Sequence, residues 1–413
     1  MSEKSPITLS RRLERLPPYL FARLNALRHQ KRRQGDDVID LGMGNPNDPP
    51  PQEVIDKLCE AVQKAKNHRY SVSAEGILSL KKEVAAHYAQ WRGVSLNPEE
   101  EVVCTIGSKE GLSHMALALL DAGDTAIVAT PAFPIHIHSV TLAGGSVLSV
   151  PMDEPSKLAA SIARVLETVW PKPKFMLLNF PHNPTTAVTN KEFFSDMVAL
   201  ARKHGVMIVH DYAYADIVYD GYEAPSFLSV PGAKEVGVEF STMSKAFSMA
   251  GWRVGFCAGN QRMVRALAQI KGYYDYGIFQ PVQIASIIAL RHCRQYSLQL
   301  ARIYQGRRDV LCRGLERIGW PVEWPKASMF VWARIPEKYR AMGSFEFALK
   351  LLNEADVAVS PGSAFGQGGD EYVRFALVEN ELRLKQAVRQ IGRCLRLTPP
   401  KGEDCQAGLA DGA

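Results

Sequence analysis

Between Glu101 and Cys257 short runs rich in aliphatic and β-branched residues recur along the chain: EVVCTI, DTAIVA, SVLSVP, FMLLNF, VMIVHD, VGVEFSTM and RVGFCA. Most end in Gly, Pro or Asn, and stretches with helical period lie between them. Strands separated by helices cannot pair as tight hairpins, so the alternation predicts a mainly parallel sheet covered by helices on both faces. The expected fold class is an α/β three-layer sandwich.

At 413 residues, 46% of them hydrophobic, the chain has material for more than one core. VIDLGMGNPNDPP carries an apolar strand into a Gly-, Asn- and Pro-rich loop, and PQEVIDKLCEAVQKA resumes with helical period. QPVQIASIIALRHC and YQGRRDVLCRGLERIG read as long connecting helices, and WPVEWPKASMFVWARIP returns to strand chemistry. The expected order is an N-terminal arm over 1–45 packing with the smaller domain, a large domain over 46–285, a smaller α/β domain over 286–398 and a tail over 399–413. That tail is too poor in apolar residues to order itself.

Composition narrows the functional classes. The net charge of +6 comes partly from Arg11, Arg12, Arg15, Lys31, Arg32 and Arg33. No helix-turn-helix, finger or aromatic-basic platform accompanies them, so a solvated arm is expected and nucleic acid is not a partner. No stretch reads as a membrane span or a secretory signal. The seven cysteines are scattered without a Cys-x-x-Cys pair, which argues against disulfides and zinc and for a reducing cytoplasm.

The chemistry-bearing residues sit where these strands end. In STMSKAFSMAGWRVGF, Lys245 follows a strand, and Thr242, Ser244 and Arg253 surround it with hydroxyl donors and a planar guanidinium fork. A lysine amine condenses with an aldehyde and an arginine fork fits a phosphate dianion, so this segment suits both ends of pyridoxal phosphate. A Ser-Lys pair alone is weak, since most lysines are simply solvated.

Other segments strengthen it. The strand VMIVH delivers Asp211, a residue type suited to pair with a pyridinium nitrogen, and Tyr214 follows as a donor to the ring's phenolic oxygen. FMLLNF runs into PHNPTTA, where Asn183 is either a second donor to that oxygen or part of an ordinary Asn-Pro turn. Gly107, Ser108 and Lys109 break EVVCTI before a helix and offer an anion its N-terminus. The spacing matches neither a nucleotide P-loop nor the dinucleotide fingerprint. Arg374 in EYVRFALVEN lies on a half-buried strand, serving an internal salt bridge or, with an amino acid as substrate, a bidentate clamp on its α-carboxylate. His136 and His138, read as alternate strand positions, resemble a metal pair but have no accompanying cluster, so packing or surface roles are expected and no metal.

Taken in order, these segments resemble the class I and II aminotransferases of the fold-type I pyridoxal-phosphate enzymes, from about Leu16 to Leu397. The resemblance implies Lys245 as Schiff-base lysine and general base, Asp211 as ring-nitrogen partner, and Tyr214 and Asn183 as ring-oxygen donors. It implies a phosphate cup of Gly107, Ser108, Lys109, Thr242, Ser244 and Arg253, with Arg374 and Gly44 at the substrate carboxylate. Phe133 stands where relatives stack a Tyr or Trp on the ring. Tyr70, in HRYSVSAEGILSLKKEVA, matches a tyrosine that reaches the partner's phosphate, implying a homodimer with shared sites.

At finer grain LPPYLFARL, VHDYAYADIVYDGYEAPS and PKASMFVWARIPE are similar to bacterial glutamate-pyruvate (alanine) aminotransferases of amino-acid biosynthesis, with LL-diaminopimelate aminotransferases second. The expected reaction is L-alanine plus 2-oxoglutarate to pyruvate plus L-glutamate. A carbon-sulfur β-lyase on the same scaffold is a rival enzyme, and a cofactor-sensing regulator a rival of another class for which the arm is too short. Tyr19 and Tyr276 are candidates for contacts to the substrate side chain.

Overall fold

In the computed structural model residues 7–18 and 20–397 are described; Tyr19 and the expected tail over 399–413 lie outside them. Among the described residues eleven strands form two sheets. These are β1 (Ile39–Leu41), β2 (Val102–Thr105), β3 (Thr125–Thr130), β4 (Ser146–Pro151), β5 (Phe175–Asn179), β6 (Met207–Asp211), β7 (Gly237–Thr242), β8 (Gly255–Gly259), β9 (Phe330–Arg334), β10 (Val357–Pro361) and β11 (Tyr372–Ala376).

The larger sheet runs β2-β8-β7-β6-β5-β3-β4. Its pairs are parallel except around β8, which opposes both β2 and β7. The seven apolar runs of the sequence are its seven strands. β5 is buried at every residue and β6 at all but its first, as strands covered on both faces must be. The edge strand β4 leaves Ser146, Ser149 and Pro151 exposed. The expected α/β sandwich is therefore the observed fold.

Parallel order brings the C-terminal ends of β3, β5, β6 and β7 to one edge, the usual place for a ligand in such sheets. Asn179 and Asp211 pair in register at the ends of β5 and β6.

The smaller sheet, β1-β10-β11-β9, joins the N-terminal strand to the C-terminal part of the chain. β1 pairs in parallel with β10, with Asp40 opposite Ala358. Arg374 on β11 faces Ser360 on β10 and Trp332 on β9. A core of Trp320, Phe347, Phe375, Leu384 and Ile391 lies beneath it. The two helices read from the 280–319 region are Gln280–His292 and Arg294–Arg317.

The basic arm is partly helical, over Arg11–Glu14 and Leu20–Arg33. It is tied down more than a solvated arm would be: Lys31 pairs with Asp36 and Asp356, and Arg15 donates to the Gly145 carbonyl. Among the described residues no helix is long and apolar enough to cross a membrane.

Candidate active site

A cavity of about 290 Å³ opens between the edge of the large sheet and the small sheet. Lys245 lies in a single helical turn, Met243–Ala246, directly after β7, capped by Thr242, whose hydroxyl accepts from the Ser244 N–H. Its Nζ donates to the Gly44 carbonyl at 2.7 Å. Burial, reinforced by the charges of Arg374 and Arg253, lowers the amine from 10.5 to about 8. An amine so placed is a better nucleophile and proton acceptor near neutral pH than a solvated lysine.

Asp211, at the end of β6, is buried, and its Oδ2 lies 2.8 Å from His136 Nε2. The Ala213 N–H donates to its other oxygen at 3.2 Å. The segment around His136 is the helix Pro134–Leu142, not a strand, so His136 and His138 do not share a face as alternate strand residues would. His136 was expected only to pack or face solvent; instead it orients the Asp211 carboxylate. Nothing local in the sequence signals this contact between a helix and a strand distant in the chain.

Asn179 was also missed. Its Nδ2 donates to the Asp211 carbonyl at 2.8 Å, and its Oδ1 accepts from the Asn183 N–H at 2.9 Å, tying the loop after β5 to the end of β6. Asn183 then bridges two groups: Oδ1 accepts from Arg374 Nη1 at 2.7 Å, and Nδ2 donates to Tyr214 Oη at 3.4 Å. Burial pushes the Tyr214 phenol up, so it is a neutral donor across the ordinary pH range. Arg374 stacks over the rings of Phe330 and Phe365, at 3.9 and 4.6 Å from their centroids.

At another part of the cavity wall the helix Ser108–Leu119 begins, with Gly107 as its N-cap at φ +72°. A Cβ on Gly107 would stand 2.5 Å from Arg253 Nη2, so glycine lets the guanidinium close against the helix start. Arg253 itself holds φ +57° and donates to the Ala250 and Ile106 carbonyls. Ser108, Lys109, Thr242 and Ser244 line the same cavity, as does Phe133, the N-cap of the helix that carries His136.

One cavity thus unites Gly44, Ser108, Lys109, Phe133, Asn183, Asp211, Tyr214, Thr242, Ser244, Lys245, Arg253 and Arg374, with Gly107 at its rim. It does not take in Tyr70, which is 87% exposed, nor Tyr276, whose ring meets that of Tyr70 edge-on at 5.9 Å. Tyr19 lies outside the described residues.

The family model for aminotransferase class I and II matches residues 36–391. The chain belongs to this family. Its members depend on pyridoxal phosphate, so this protein is a pyridoxal-phosphate-dependent aminotransferase. Among curated proteins it is 50% identical to the glutamate-pyruvate aminotransferase AlaC of Escherichia coli, over 96% of each chain. It is 41% identical to an LL-diaminopimelate aminotransferase of Moorella thermoacetica, over 94% of this chain and 98% of that one. Among solved structures a substrate-bound BacF from Bacillus subtilis superposes with a TM-score of 0.87 at 32% identity, over 94% of this chain and 98% of that one.

The cavity of this aminotransferase fits the cofactor on its own chemistry. It offers a half-buried amine of lowered basicity, a buried carboxylate fixed by an imidazole, and a helix N-terminus beside a guanidinium. These are the groups an aldehyde, a ring nitrogen and a phosphate require.

Proposed function

We propose that this aminotransferase moves the amino group of L-alanine to 2-oxoglutarate, giving pyruvate and L-glutamate. The observation that carries the reading is the 50% identity, end to end, to a relative named for that activity. A lysine, a buried carboxylate and a buried arginine facing one cavity support it chemically.

Lys245 would hold the cofactor through its aldehyde carbon, Asp211 would pair with the ring nitrogen, and Tyr214 and Asn183 would donate to the ring oxygen. Phe133 would lie against the ring, and Gly107, Ser108, Lys109, Thr242, Ser244 and Arg253 would surround the phosphate. When bound, pyridoxal phosphate supplies an electron-withdrawing ring that stabilises negative charge at the substrate Cα.

Arg374 grips the α-carboxylate with its guanidinium fork, and Asn183 keeps that fork in place through its 2.7 Å contact. Lys245 Nζ, its basicity lowered to about 8 by burial, is the group that would accept and return the substrate's Cα proton. Asp211, oriented by its 2.8 Å contact with His136, is the carboxylate that would pair with the ring nitrogen.

The same reading makes the enzyme a homodimer in the cytoplasm. Tyr70, exposed and outside its own cavity, would complete the phosphate site of the partner. LL-diaminopimelate is the second substrate to consider, on the 41% identity to an enzyme named for it.

Initial rates with varied alanine at several fixed 2-oxoglutarate concentrations test the reaction. The proposal expects parallel double-reciprocal lines, because the first product leaves before the second substrate binds. Intersecting lines would overturn it, and pyruvate and ammonia from cystathionine without a 2-oxo acid would favour a β-lyase.

A further inference from the structure

Arg374 is held by more than Asn183. Its Nη2 donates to the Gly42 carbonyl at 3.2 Å and to Ser360 Oγ at 3.3 Å, and the Ser360 hydroxyl donates to that same carbonyl at 2.6 Å. Gly42 is also held at its amide, the N–H donating to Asp40 Oδ1 at 3.0 Å. The second oxygen of Asp40 pairs with Arg28 Nη1. Arg28 is 8% exposed and lies on the helix Leu20–Arg33, whose Phe21, Leu24 and Asn25 line the same cavity. These contacts form one unbroken chain from the N-terminal helix, through the end of β1, to the guanidinium of Arg374.

Each link has a separable role. An Asp that accepts the N–H two residues on closes an Asx-type turn and fixes the peptide whose N–H it holds, here the Leu41–Gly42 peptide; the carbonyl that receives Arg374 lies one Cα further on, in the Gly42–Met43 peptide. A largely buried carboxylate needs a counter-charge, which Arg28 supplies. A guanidinium grips a carboxylate with two parallel hydrogen bonds only when its plane is aligned, so a tilt sacrifices one of the pair.

We propose that Asp40 and Arg28 are positioning residues for the substrate's α-carboxylate: by fixing the backbone at Gly42 they set where its carbonyl meets Arg374, and so they set affinity for every amino acid whatever its side chain. This rests on the reading of Arg374 as the carboxylate clamp.

The test uses holoenzyme in single half-reactions, following loss of the cofactor's visible band. It needs two amino acids the wild type converts, one neutral and one acidic, with L-alanine and L-glutamate as the first pair. Asp40→Asn and Arg28→Gln should raise the saturation constant for both by the same factor, about tenfold, the worth of one charge-assisted hydrogen bond. Limiting rates should stay within about twofold. Arg28→Lys, which keeps a cation beside Asp40, should restore most of the affinity. Where Asp40→Asn does not accumulate as folded holoenzyme, Asp40→Glu, which keeps a carboxylate beside Arg28 but lengthens the side chain past the Gly42 N–H, should give the same pattern.

Unchanged constants in variants that melt earlier would overturn the proposal, leaving the pair a merely structural one. So would a loss confined to the acidic substrate, which would instead make Arg28 a ligand of the second carboxylate. Arg374→Lys separates the two levels. If it leaves both constants unchanged, the clamp reading fails and this inference with it; if it raises them while Asp40→Asn does not, this inference alone fails.

Discussion

His136 Nε2 lies 2.8 Å from Asp211 Oδ2, with both side chains buried, so the carboxylate at the end of β6 is held by an imidazole from the helix that covers that face of the sheet. The neighbouring residue on the strand is held as firmly on the opposite face. His210 Nδ1 meets Glu239 Oε2 at 2.9 Å, and Glu239 also accepts from Tyr88, Ser226 and the Phe227 N–H, each at 2.8 Å. Strand alternation sends His210 and Asp211 to opposite faces, so each network pins the end of β6 from its own side.

Replacing His136 with alanine leaves Asp211 with one backbone donor, the Ala213 N–H. The expected result is a ten- to hundredfold fall in kcat, on the order of the loss of one buried hydrogen bond to a charged group. Steady-state rates at saturating cofactor measure it, and unchanged kcat would contradict the orienting role.

Gly107 holds φ +72°, and a Cβ there would meet Arg253 Nη2 at 2.5 Å. Gly107→Ala is therefore expected to displace Arg253 and weaken cofactor binding by about tenfold, on the order of one charge-assisted hydrogen bond to the phosphate. Titration of cofactor-free enzyme with pyridoxal phosphate gives the dissociation constant. An unchanged value would remove Arg253 from the phosphate site.

The lowered basicity of Lys245 fixes the sign of a pH effect. Burial disfavours the charged ammonium, so in cofactor-free enzyme the neutral, nucleophilic amine predominates above about 8 rather than above 10.5. The rate of cofactor reincorporation is expected to rise about tenfold per pH unit below 8 and to level off above it. A rate still climbing through pH 10 would contradict the lowered value.

Tyr70 offers a test of shared sites. Lys245→Ala and Tyr70→Ala each damage one component of a site, and in a homodimer with crossed contributions their hybrid regains one intact site. Mixed and refolded variants should therefore exceed the mean activity of the two parents. Activity equal to that mean would confine each site to one chain.

Much of this was legible along the chain because the fold obeys local rules. Parallel strands buried on both faces read as apolar runs, which is why seven of them mark the large sheet, and residues that end such strands, Asp211 and Thr242, fall at the ligand edge. β10, VAVSP, passed without notice because its partners β1 and β11 lie in distant or later sequence. His136, Asn179 and Ser360 were missed for the same reason: each acts through a contact between elements that no spacing announces. The His136 segment was read with period 2, whereas Pro134 at the first position of a helix decides otherwise.

The central claim is transamination of alanine and glutamate, and its most direct test is a half-reaction screen. Purified holoenzyme is mixed with single L-amino acids while the cofactor's visible band and the released 2-oxo acid are followed. The account predicts that alanine and glutamate discharge the band fastest, with one 2-oxo acid released per site. Fastest response to LL-diaminopimelate would move the assignment to that substrate, and no discharge by any amino acid would contradict transamination altogether.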